Sequence, residues 1–385
     1  MKNNITILIV AFLCLDSKSS FAQPADASRP NILMIVADDL GYADLGCYGG
    51  EIKTPNIDAL AGKSILFTRF HTSPLCAPTR SMLLSGSDNH IAGMGSMFSV
   101  DGTNRAGKTG YEHHLTDRIV TIAQLLKDGG YQTFMSGKWH LGSARDQIPY
   151  SKGFEKSFAL MNGAANHFNN HPFSPNEPSQ YRLDSNSVLY PEGVFSTDVY
   201  TDKMIAYIDQ RQTGKPFFAY LAYTAPHWPL QVPDNYINRY KGRYDIGYDS
   251  LREVRFASQK AAGIVPENAV LGERNPEIRP WSDLSTEEKK SESRKMEIYA
   301  AMVENLDDHI GQLIQFLKKT GLLDNTVIVF MSDNGAAGED FYNLAKGFGP
   351  FIRAHYDNSY VNMGKANSFV SYGPQWAQAG AAPFK

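Results

Sequence analysis

The stretch Asn31-Ile-Leu-Met-Ile-Val-Ala37-Asp38-Asp39 joins an apolar run to two adjacent carboxylates. A continuous run of Ile, Leu, Met and Val is typical of a strand that is buried on both faces of a parallel sheet. Ligands of such sheets bind at the carboxyl ends of the strands, which is where these two aspartates lie. The stretch therefore predicts a parallel sheet with a polar site at one edge.

Further apolar runs along the chain alternate with helical patterns. Strands are predicted over 131–135, 216–223 and 325–331, and helices are predicted from Thr54-Pro55, over 116–128 and over 294–319. This alternation predicts an α/β fold with a largely parallel central sheet flanked by helices. The polar segments 166–192 and 241–293 lack such patterns, and we expect them to be loop excursions from the core.

The composition is that of a globular protein. The 385 residues are 42% hydrophobic and 20% charged, and the formal net charge is −3. There is no basic excess and no block of Lys and Arg, so we expect no nucleic-acid partner. A chain of this length can bury a large core.

The N-terminus has the pattern of a secretory signal peptide. Lys2 precedes the apolar run 5–15, and Ser20-Phe21-Ala22 places small residues where a signal peptidase needs them. We expect residues 1–22 to be removed, leaving 23–385 as a catalytic domain in a periplasmic or secreted protein. The apolar run is shorter than the roughly 20 residues that span a bilayer, so we expect no stable membrane insertion.

Cys76 opens the run Cys76-Ala77-Pro78-Thr79-Arg80, which continues into apolar residues and Ser85-Gly86. Pro78 suits the first turn of a helix, where its missing N–H would be unpaired anyway. The start of a helix attracts negative charge, and Arg80 adds a fork of donors for an anion. A buried cysteine beside a structural proline is the ordinary interpretation of this run alone. We expect no disulfide between Cys76 and Cys47.

Polar residues follow each predicted strand directly. They are Asp38 and Asp39 after the first strand, Lys138 and His140 after the second, His227 after the third, and Asp333 and Asn334 after the fourth. Each alone could be a helix cap, a surface lysine or a packed histidine. Because the carboxyl ends of parallel strands meet at one edge, the set together predicts an active site there.

Four of these residues offer only oxygen ligands: Asp38, Asp39, Asp333 and Asn334. Such a set favours a hard cation, Ca²⁺ ahead of Mg²⁺. Zinc prefers His and Cys, and the sequence has no cluster of these with zinc spacing. The carboxylates leave a modest negative charge after the metal binds, which nearby cations must offset if the substrate is an anion.

Taken together, these segments resemble the bacterial arylsulfatases of the alkaline phosphatase superfamily. The matching stretches are 30–41, 76–86, 137–140, 225–229 and 331–335. The Cys-x-Pro-x-Arg run is similar to the sulfatase signature, whose cysteine is oxidised after synthesis to formylglycine (3-oxoalanine). The resemblance implies an alkaline phosphatase-like fold and the hydrolysis of a small sulfate ester, an aryl sulfate, to a phenol and inorganic sulfate.

The resemblance also implies a role for each matching residue. Cys76, as hydrated formylglycine, attacks sulfur, and Arg80 and Lys138 stabilise its charge. Lys138 and His227 bind the sulfate, His227 helps to protonate the departing alcohol, and His140 assists the release of sulfate. The four oxygen ligands hold Ca²⁺, and a formylglycine-generating enzyme is the partner during maturation.

In this family, a second active-site lysine and a smaller C-terminal domain with an antiparallel sheet follow the segment that ends at Lys385. We therefore expect the chain to be a catalytic domain that is incomplete at its C-terminus, with this subdomain missing.

Two alternatives stay open at the level of sequence. Relatives with the same nucleophile motif process phosphorus esters, so one is a phosphomonoester or phosphonate monoester hydrolase. The other is a fragment that binds sulfated ligands without turnover. Phosphatases with a Ser or Thr nucleophile and two zinc ions fit poorly, because their His ligands are missing. His90 and His167 are weaker candidates for the mouth of the site.

Overall fold

The computed structural model describes residues 29–97, 100–172, 174, 178–344 and 346–384. The predicted signal peptide, 1–22, and Lys385 lie outside these residues. None of the helices in the described part has the length and apolarity that a membrane span needs.

A seven-stranded sheet forms the centre of the described chain. Its strands are β1 Asn31–Ala37, β2 Gln132–Lys138, β3 Lys156–Leu160, β4 Tyr181–Leu183, β5 Asn186–Val188, β6 Phe217–Ala222 and β7 Thr326–Ser332. Their spatial order is β5-β4-β3-β2-β6-β1-β7. The five strands from β3 to β7 in this order are parallel, and β4 and β5 add antiparallel pairs at one edge. The predicted α/β fold with a largely parallel sheet is confirmed.

Helices pack on both faces of the sheet. They are α1 Pro55–Ala61, α2 Cys76–Ser85, α3 Ile122–Asp128, α4 Ser196–Asp209, α5 Gly247–Ala261, α6 Thr286–Lys319, α7 Phe348–His355 and α8 Gly373–Gly380. Alternate side chains of β1 enter two different apolar clusters: Leu33 and Ile35 pack with α1, α4 and α6, whereas Met34 and Val36 pack with α2 and α3. Such alternation is what a strand with both faces covered requires.

Two helices begin elsewhere than predicted, because side-chain caps set their starts. The helix predicted over 116–128 begins at Ile122, where the Thr121 hydroxyl accepts a hydrogen bond from the backbone N–H of Gln124. The helix predicted over 294–319 begins at Thr286, after a capping box. In it, Ser285 and Glu288 satisfy each other's backbone N–H groups.

Thr54 precedes α1 as predicted, with Pro55 as the first helical residue, but its hydroxyl does not cap the helix backbone. It donates instead to the Asp58 carboxylate at 3.0 Å and accepts from the backbone N–H of Gly46 at 2.9 Å. Thr54 therefore joins α1 to the loop after β1.

The two predicted loop excursions both contain regular structure, so that expectation is wrong. The segment 166–192 holds β4 and β5, and 241–293 holds α5 and the start of α6. The charges of α5 made this prediction wrong because two of them, Arg252 and Arg255, are buried. Arg255 is fully buried and pairs with Asp44 and Glu51.

Candidate active site

All nine predicted site residues lie at the carboxyl ends of the central strands or at the start of α2. Asp38 and Asp39 follow β1, Lys138 ends β2 with His140 just beyond, His227 lies in the loop after β6, Asp333 and Asn334 follow β7, and Cys76 and Arg80 belong to α2. The sheet order places β1 between β6 and β7, with β2 beside β6. The four strand ends are therefore neighbours, and one edge of the sheet collects the whole set.

Arg80 ties the ends of three strands together. Its Nε donates to Asp333 Oδ2 at 2.8 Å, and one terminal nitrogen lies 3.3 Å from Asp38 Oδ1. The other donates to the backbone carbonyl of Lys138 at 2.9 Å. All of these side chains are fully buried, so solvent does not screen their charges.

Lys138 forms the second buried ion pair of the site. Its Nζ lies 2.7 Å from both carboxylate oxygens of Asp38. Burial acts to lower the pKa of Lys138 and of Arg80, but the facing carboxylates outweigh burial and raise both values. Both side chains therefore stay charged at any pH at which the protein is folded.

The carboxylates outnumber these cations. The site has three carboxylates, those of Asp38, Asp39 and Asp333. Among the described residues, the Arg and Lys side chains that pair with this set are Arg80 and Lys138 alone. Burial, and then the charge of Asp333, raises the pKa of Asp39 to about 7. Burial also raises the pKa of Asp333. A carboxylate whose ionisation is opposed in this way is stabilised by a bound cation.

An unused acceptor in the same cluster also indicates a cation. The side-chain oxygen of Asn334 is buried and has no hydrogen-bond partner among the described residues, while its amide nitrogen donates to Asp39. Ligand atoms of Asp38, Asp39 and His227 lie within 4.8 Å of one another, as do those of Asp38, Cys76 and Asp333. A buried acceptor without a partner is costly unless a ligand fills the place. The mostly oxygen donor set fits a hard divalent cation.

Cys76 is the first residue of α2 and lies beside this cluster. Its Sγ is 3.3 Å from Nδ1 of His140 and 3.2 Å from Sδ of Met97. Burial raises the pKa of the Cys76 thiol to about 12, although the charge of Lys138 opposes the change. The unmodified thiol is therefore protonated at neutral pH and is a poor nucleophile. Cys76 and Cys47 are both free cysteines in this structure.

The two site histidines, His227 buried and His140 partly buried, favour the neutral form. Burial, and then the charges of Lys138 and Arg80, lowers the pKa of His140 well below its ordinary value. Burial also lowers the pKa of His227. His227 Nδ1 donates to the carbonyl of Trp228 at 2.6 Å, and its Nε2 lies 3.3 Å from Asp39 Oδ2. Nε2 is therefore the nitrogen that faces the site.

Strained backbone holds two of these side chains in place. Asp39 and His140 have φ angles of 62° and 58°, in the left-handed region that costs a non-glycine residue roughly 1 kcal/mol or more. Such strain persists only where surrounding contacts maintain it. Asp39 is held by its backbone N–H, which donates to Asp333 Oδ1 at 3.3 Å.

The loop after Asp39 is held by residues that the sequence did not single out. Asp44 is fully buried and accepts hydrogen bonds from the backbone N–H of Gly41, the hydroxyl of Tyr299 and the guanidinium of Arg255. These partners come from the loop itself, from α6 and from α5. The contact between Met97 and Cys76 is equally unpredicted, because no motif connects a loop residue to the cysteine.

The two weaker histidine candidates for the mouth of the site differ in exposure. His90 is about half exposed and pairs with Asp88. His167 is 1% exposed, so it does not line a mouth open to solvent. Burial lowers the pKa of His167 from 6.5 to about 4, although a hydrogen bond to the backbone of His227 opposes the shift.

The depressed pKa of His167 predicts how stability changes with pH. Between pH 6.5 and 4 the unfolded chain binds a proton that folded His167 does not, so acidification lowers the free energy of unfolding. On going from pH 7 to pH 4, we expect wild type to lose roughly 3 kcal/mol more than His167→Gln. Urea unfolding of both proteins across this range measures the difference, and parallel curves would contradict the prediction.

Known proteins similar to this chain identify its family. The family model described as Sulfatase matches residues 30–379. The chain belongs to the sulfatase family. This sulfatase is 45% identical over 379 residues to an uncharacterized sulfatase of Schizosaccharomyces pombe, and 43% identical over 370 residues to an arylsulfatase of Klebsiella aerogenes. Each alignment covers 94% of this chain, and the two cover 68% and 78% of the respective relatives.

Among solved structures, this sulfatase is similar to Ps i-CgsB, crystallised in complex with k-i-k-neocarrahexaose. The sequence identity is 28% and the TM-score is 0.58, covering 83% of this chain and 62% of that chain. The chain thus spans somewhat less than two thirds of that structure's length. Family and fold together confirm the predicted arylsulfatase resemblance, the alkaline phosphatase-like architecture and the class of sulfuric ester hydrolases.

Proposed function

We propose that this protein hydrolyses aryl sulfates, using formylglycine made from Cys76 beside a bound Ca²⁺. The observation that carries the proposal is the partly buried contact of Cys76 with His140 next to an acidic cluster that has an unused amide oxygen. The 43% identity to the arylsulfatase of Klebsiella aerogenes supports the substrate class. The mostly oxygen donor set supports Ca²⁺ ahead of zinc.

Two groups that the site would hold contribute their own chemistry. Formylglycine at position 76 would supply a hydrated aldehyde, with one hydroxyl as nucleophile toward sulfur and a second whose proton loss would let sulfate leave. The divalent cation, held by Asp38, Asp39, Asp333 and Asn334, supplies charge neutralisation at sulfate oxygens. The overall balance is a sulfate ester and water converted to an alcohol, sulfate and a proton.

Arg80 and Lys138 keep the site competent for an anion. They hold the carboxylates of Asp38 and Asp333 in position through buried contacts of 2.7 to 3.3 Å, so that these ligands are oriented for the metal. Two of the three N–H groups of Lys138 can be used by Asp38, which leaves one to donate to sulfate or to the nucleophile. With the metal bound, the formal charge of this set becomes positive, as a sulfate ester requires.

His227 and His140 transfer protons at different steps of the reaction. Nδ1 of His227 is committed to the Trp228 carbonyl, so the neutral ring has no proton on Nε2. Nε2 would therefore take up the proton released by the attacking hydroxyl, and the imidazolium would then donate that proton to the departing oxygen. His140 Nδ1 lies 3.3 Å from Sγ of Cys76, where it can take the proton lost when sulfate is released. The low pKa of His140 keeps it neutral and therefore able to act as a base.

The N-terminal sequence supports a location for this activity. Residues 1–22 favour a periplasmic or secreted protein. The run Cys76-Ala77-Pro78-Thr79-Arg80 favours a formylglycine-generating enzyme as the maturation partner. Because Cys76 is 5% exposed once folded, that enzyme must reach the run before folding is complete.

A comparison of three esters tests the function. The chain, produced together with a formylglycine-generating enzyme, is assayed with 4-nitrophenyl sulfate, 4-nitrophenyl phosphate and 4-nitrophenyl phenylphosphonate. We expect kcat/KM for the sulfate to exceed the others at least about tenfold, which is about 1.4 kcal/mol in transition-state binding. Faster hydrolysis of a phosphorus ester would favour the phosphoester alternative. Binding of 4-nitrophenyl sulfate without turnover would favour the non-catalytic one.

A further inference from the structure

His167 lies outside the group of nine site residues but contacts the loop that presents one of them. Its Nε2 is 3.2 Å from the backbone carbonyl oxygen of His227, and its Nδ1 is 2.7 Å from the hydroxyl of Ser196. Its own backbone N–H donates to Gln231 Oε1 at 2.9 Å. The buried imidazole therefore connects the loop after β6 to the first residue of α4.

The partners of His167 determine its tautomer. A carbonyl oxygen only accepts hydrogen bonds, so Nε2 carries the proton that is donated to His227. In the neutral ring Nδ1 is then an acceptor, and the Ser196 hydroxyl donates to it. Thr224 Oγ1, 3.2 Å from Ser196 Oγ and 3.4 Å from Nδ1, completes the network. A hydrogen bond that fixes the tautomer of a histidine also fixes the orientation of its ring.

The loop that carries His227 depends on contacts of this kind. The ring of His227 is tied by Nδ1 to the carbonyl of the next residue, Trp228, and thus to its own loop. Besides the contact of its Nε2 with Asp39, the loop's position relative to the sheet depends on contacts made by its backbone. The hydrogen bond from His167 to the carbonyl of His227 is one such contact, and it comes from the chain that follows β3.

We propose that His167 is a positioning residue that holds His227 where its Nε2 reaches the departing oxygen, with Ser196 maintaining the required tautomer. This inference rests on the proposed function, in which His227 donates a proton to the leaving group. His167 does not touch the substrate, the metal ligands or Cys76. It acts through the backbone carbonyl of His227.

The proposal predicts a dependence on the leaving group. A phenol of low pKa, such as 4-nitrophenol, leaves with little help from an acid, whereas unsubstituted phenol needs a proton. A displaced His227 therefore impairs phenyl sulfate hydrolysis much more than 4-nitrophenyl sulfate hydrolysis. A variant that merely loosened the fold would reduce both rates by the same factor.

Two substitutions both remove the imidazole ring of His167, but only one of them also removes the hydrogen bond to His227. In His167→Gln the longer amide can place its nitrogen near the position of Nε2 and still donate to His227. In His167→Asn the amide reaches only the position of Nδ1. We expect kcat for phenyl sulfate to stay within about threefold of wild type in His167→Gln and to fall about ten- to a hundredfold in His167→Asn. For 4-nitrophenyl sulfate, we expect both variants to stay within about fivefold.

Two further variants complete the set. Ser196→Ala removes the donor to Nδ1 without touching the His227 contact, and we expect a smaller loss on phenyl sulfate than for His167→Asn. His309→Asn is the matched control, because His309 is also buried but pairs with Asp198 on α4. We expect its ratio of phenyl sulfate to 4-nitrophenyl sulfate turnover to equal that of wild type.

An NMR measurement tests the inference independently of turnover. In ¹⁵N-labelled protein, we expect the His167 ring to show the neutral tautomer with the proton on Nε2. A proton on Nδ1, or equal losses for His167→Gln and His167→Asn on both esters, would overturn the inference. If wild type hydrolyses neither ester, the proposed function fails. The tautomer and the backbone shift of His227 in the two variants then still decide whether His167 positions that loop.

Discussion

We expect the Cys76→Ala variant to lose roughly 10⁴-fold or more of its turnover of 4-nitrophenyl sulfate. The reason is that alanine can form neither an aldehyde nor any other nucleophile, while the remaining binding groups of the site stay in place. The fold should persist, because removing one sulfur from the start of α2 creates only a small cavity beside Met97. Initial rates and thermal unfolding of the purified variant measure the two effects separately.

Cys47→Ala is the matched control for this loss. Cys47 is the other free cysteine of the described chain and is partly buried against the core, away from the nine site residues. We expect its turnover to equal that of wild type. The mass of the peptide that contains Cys76 should show replacement of the thiol by an aldehyde in both wild type and Cys47→Ala. A plain thiol in an active wild-type enzyme would contradict the proposed nucleophile.

We expect removal of divalent cations with EDTA to abolish turnover and to lower the unfolding temperature, with Ca²⁺ restoring both. A free Ca²⁺ concentration a hundred times the dissociation constant stabilises the folded state by about 2.7 kcal/mol.

In the absence of metal, the Asp39→Asn substitution should raise the stability of the folded protein. At pH 8, above the pKa of about 7, ionised Asp39 is opposed by burial and by Asp333 and so lowers the free energy of unfolding.

The metal-free Asp39→Asn protein should therefore be more stable than metal-free wild type at pH 8, by on the order of 1 kcal/mol or more. Its unfolding temperature should respond less to Ca²⁺ than that of wild type, because a neutral amide replaces a charged carboxylate ligand. Asp308→Asn is the control: Asp308 is partly exposed and accepts from the hydroxyl of Tyr236. This control should respond to Ca²⁺ as wild type does. An unchanged Ca²⁺ response in Asp39→Asn would show that the cation is bound elsewhere.

Much of the fold could be predicted from the sequence, because its signals are local. The apolar run of β1 followed by two aspartates predicts a strand and its polar end, and β2, β6 and β7 repeat that pattern. Parallel pairing then brings their ends to one edge, which is why all nine predicted residues lie together. The bounds of α3 and α6 were less predictable, since single side-chain caps set them.

The sequence by itself determined the four central strands β1, β2, β6 and β7, the sheet class and the kinds of side chain that meet at its edge. Only the tertiary structure decided how they are held. The contact from His167 to His227 spans 60 residues, and that from Arg255 to Asp44 spans 211. The sequence showed Arg255 as one charge among many in a polar segment, although it is buried. Such contacts depend on where loops and helices that are distant in sequence lie in the fold. No local conformational preference of the chain specifies those positions.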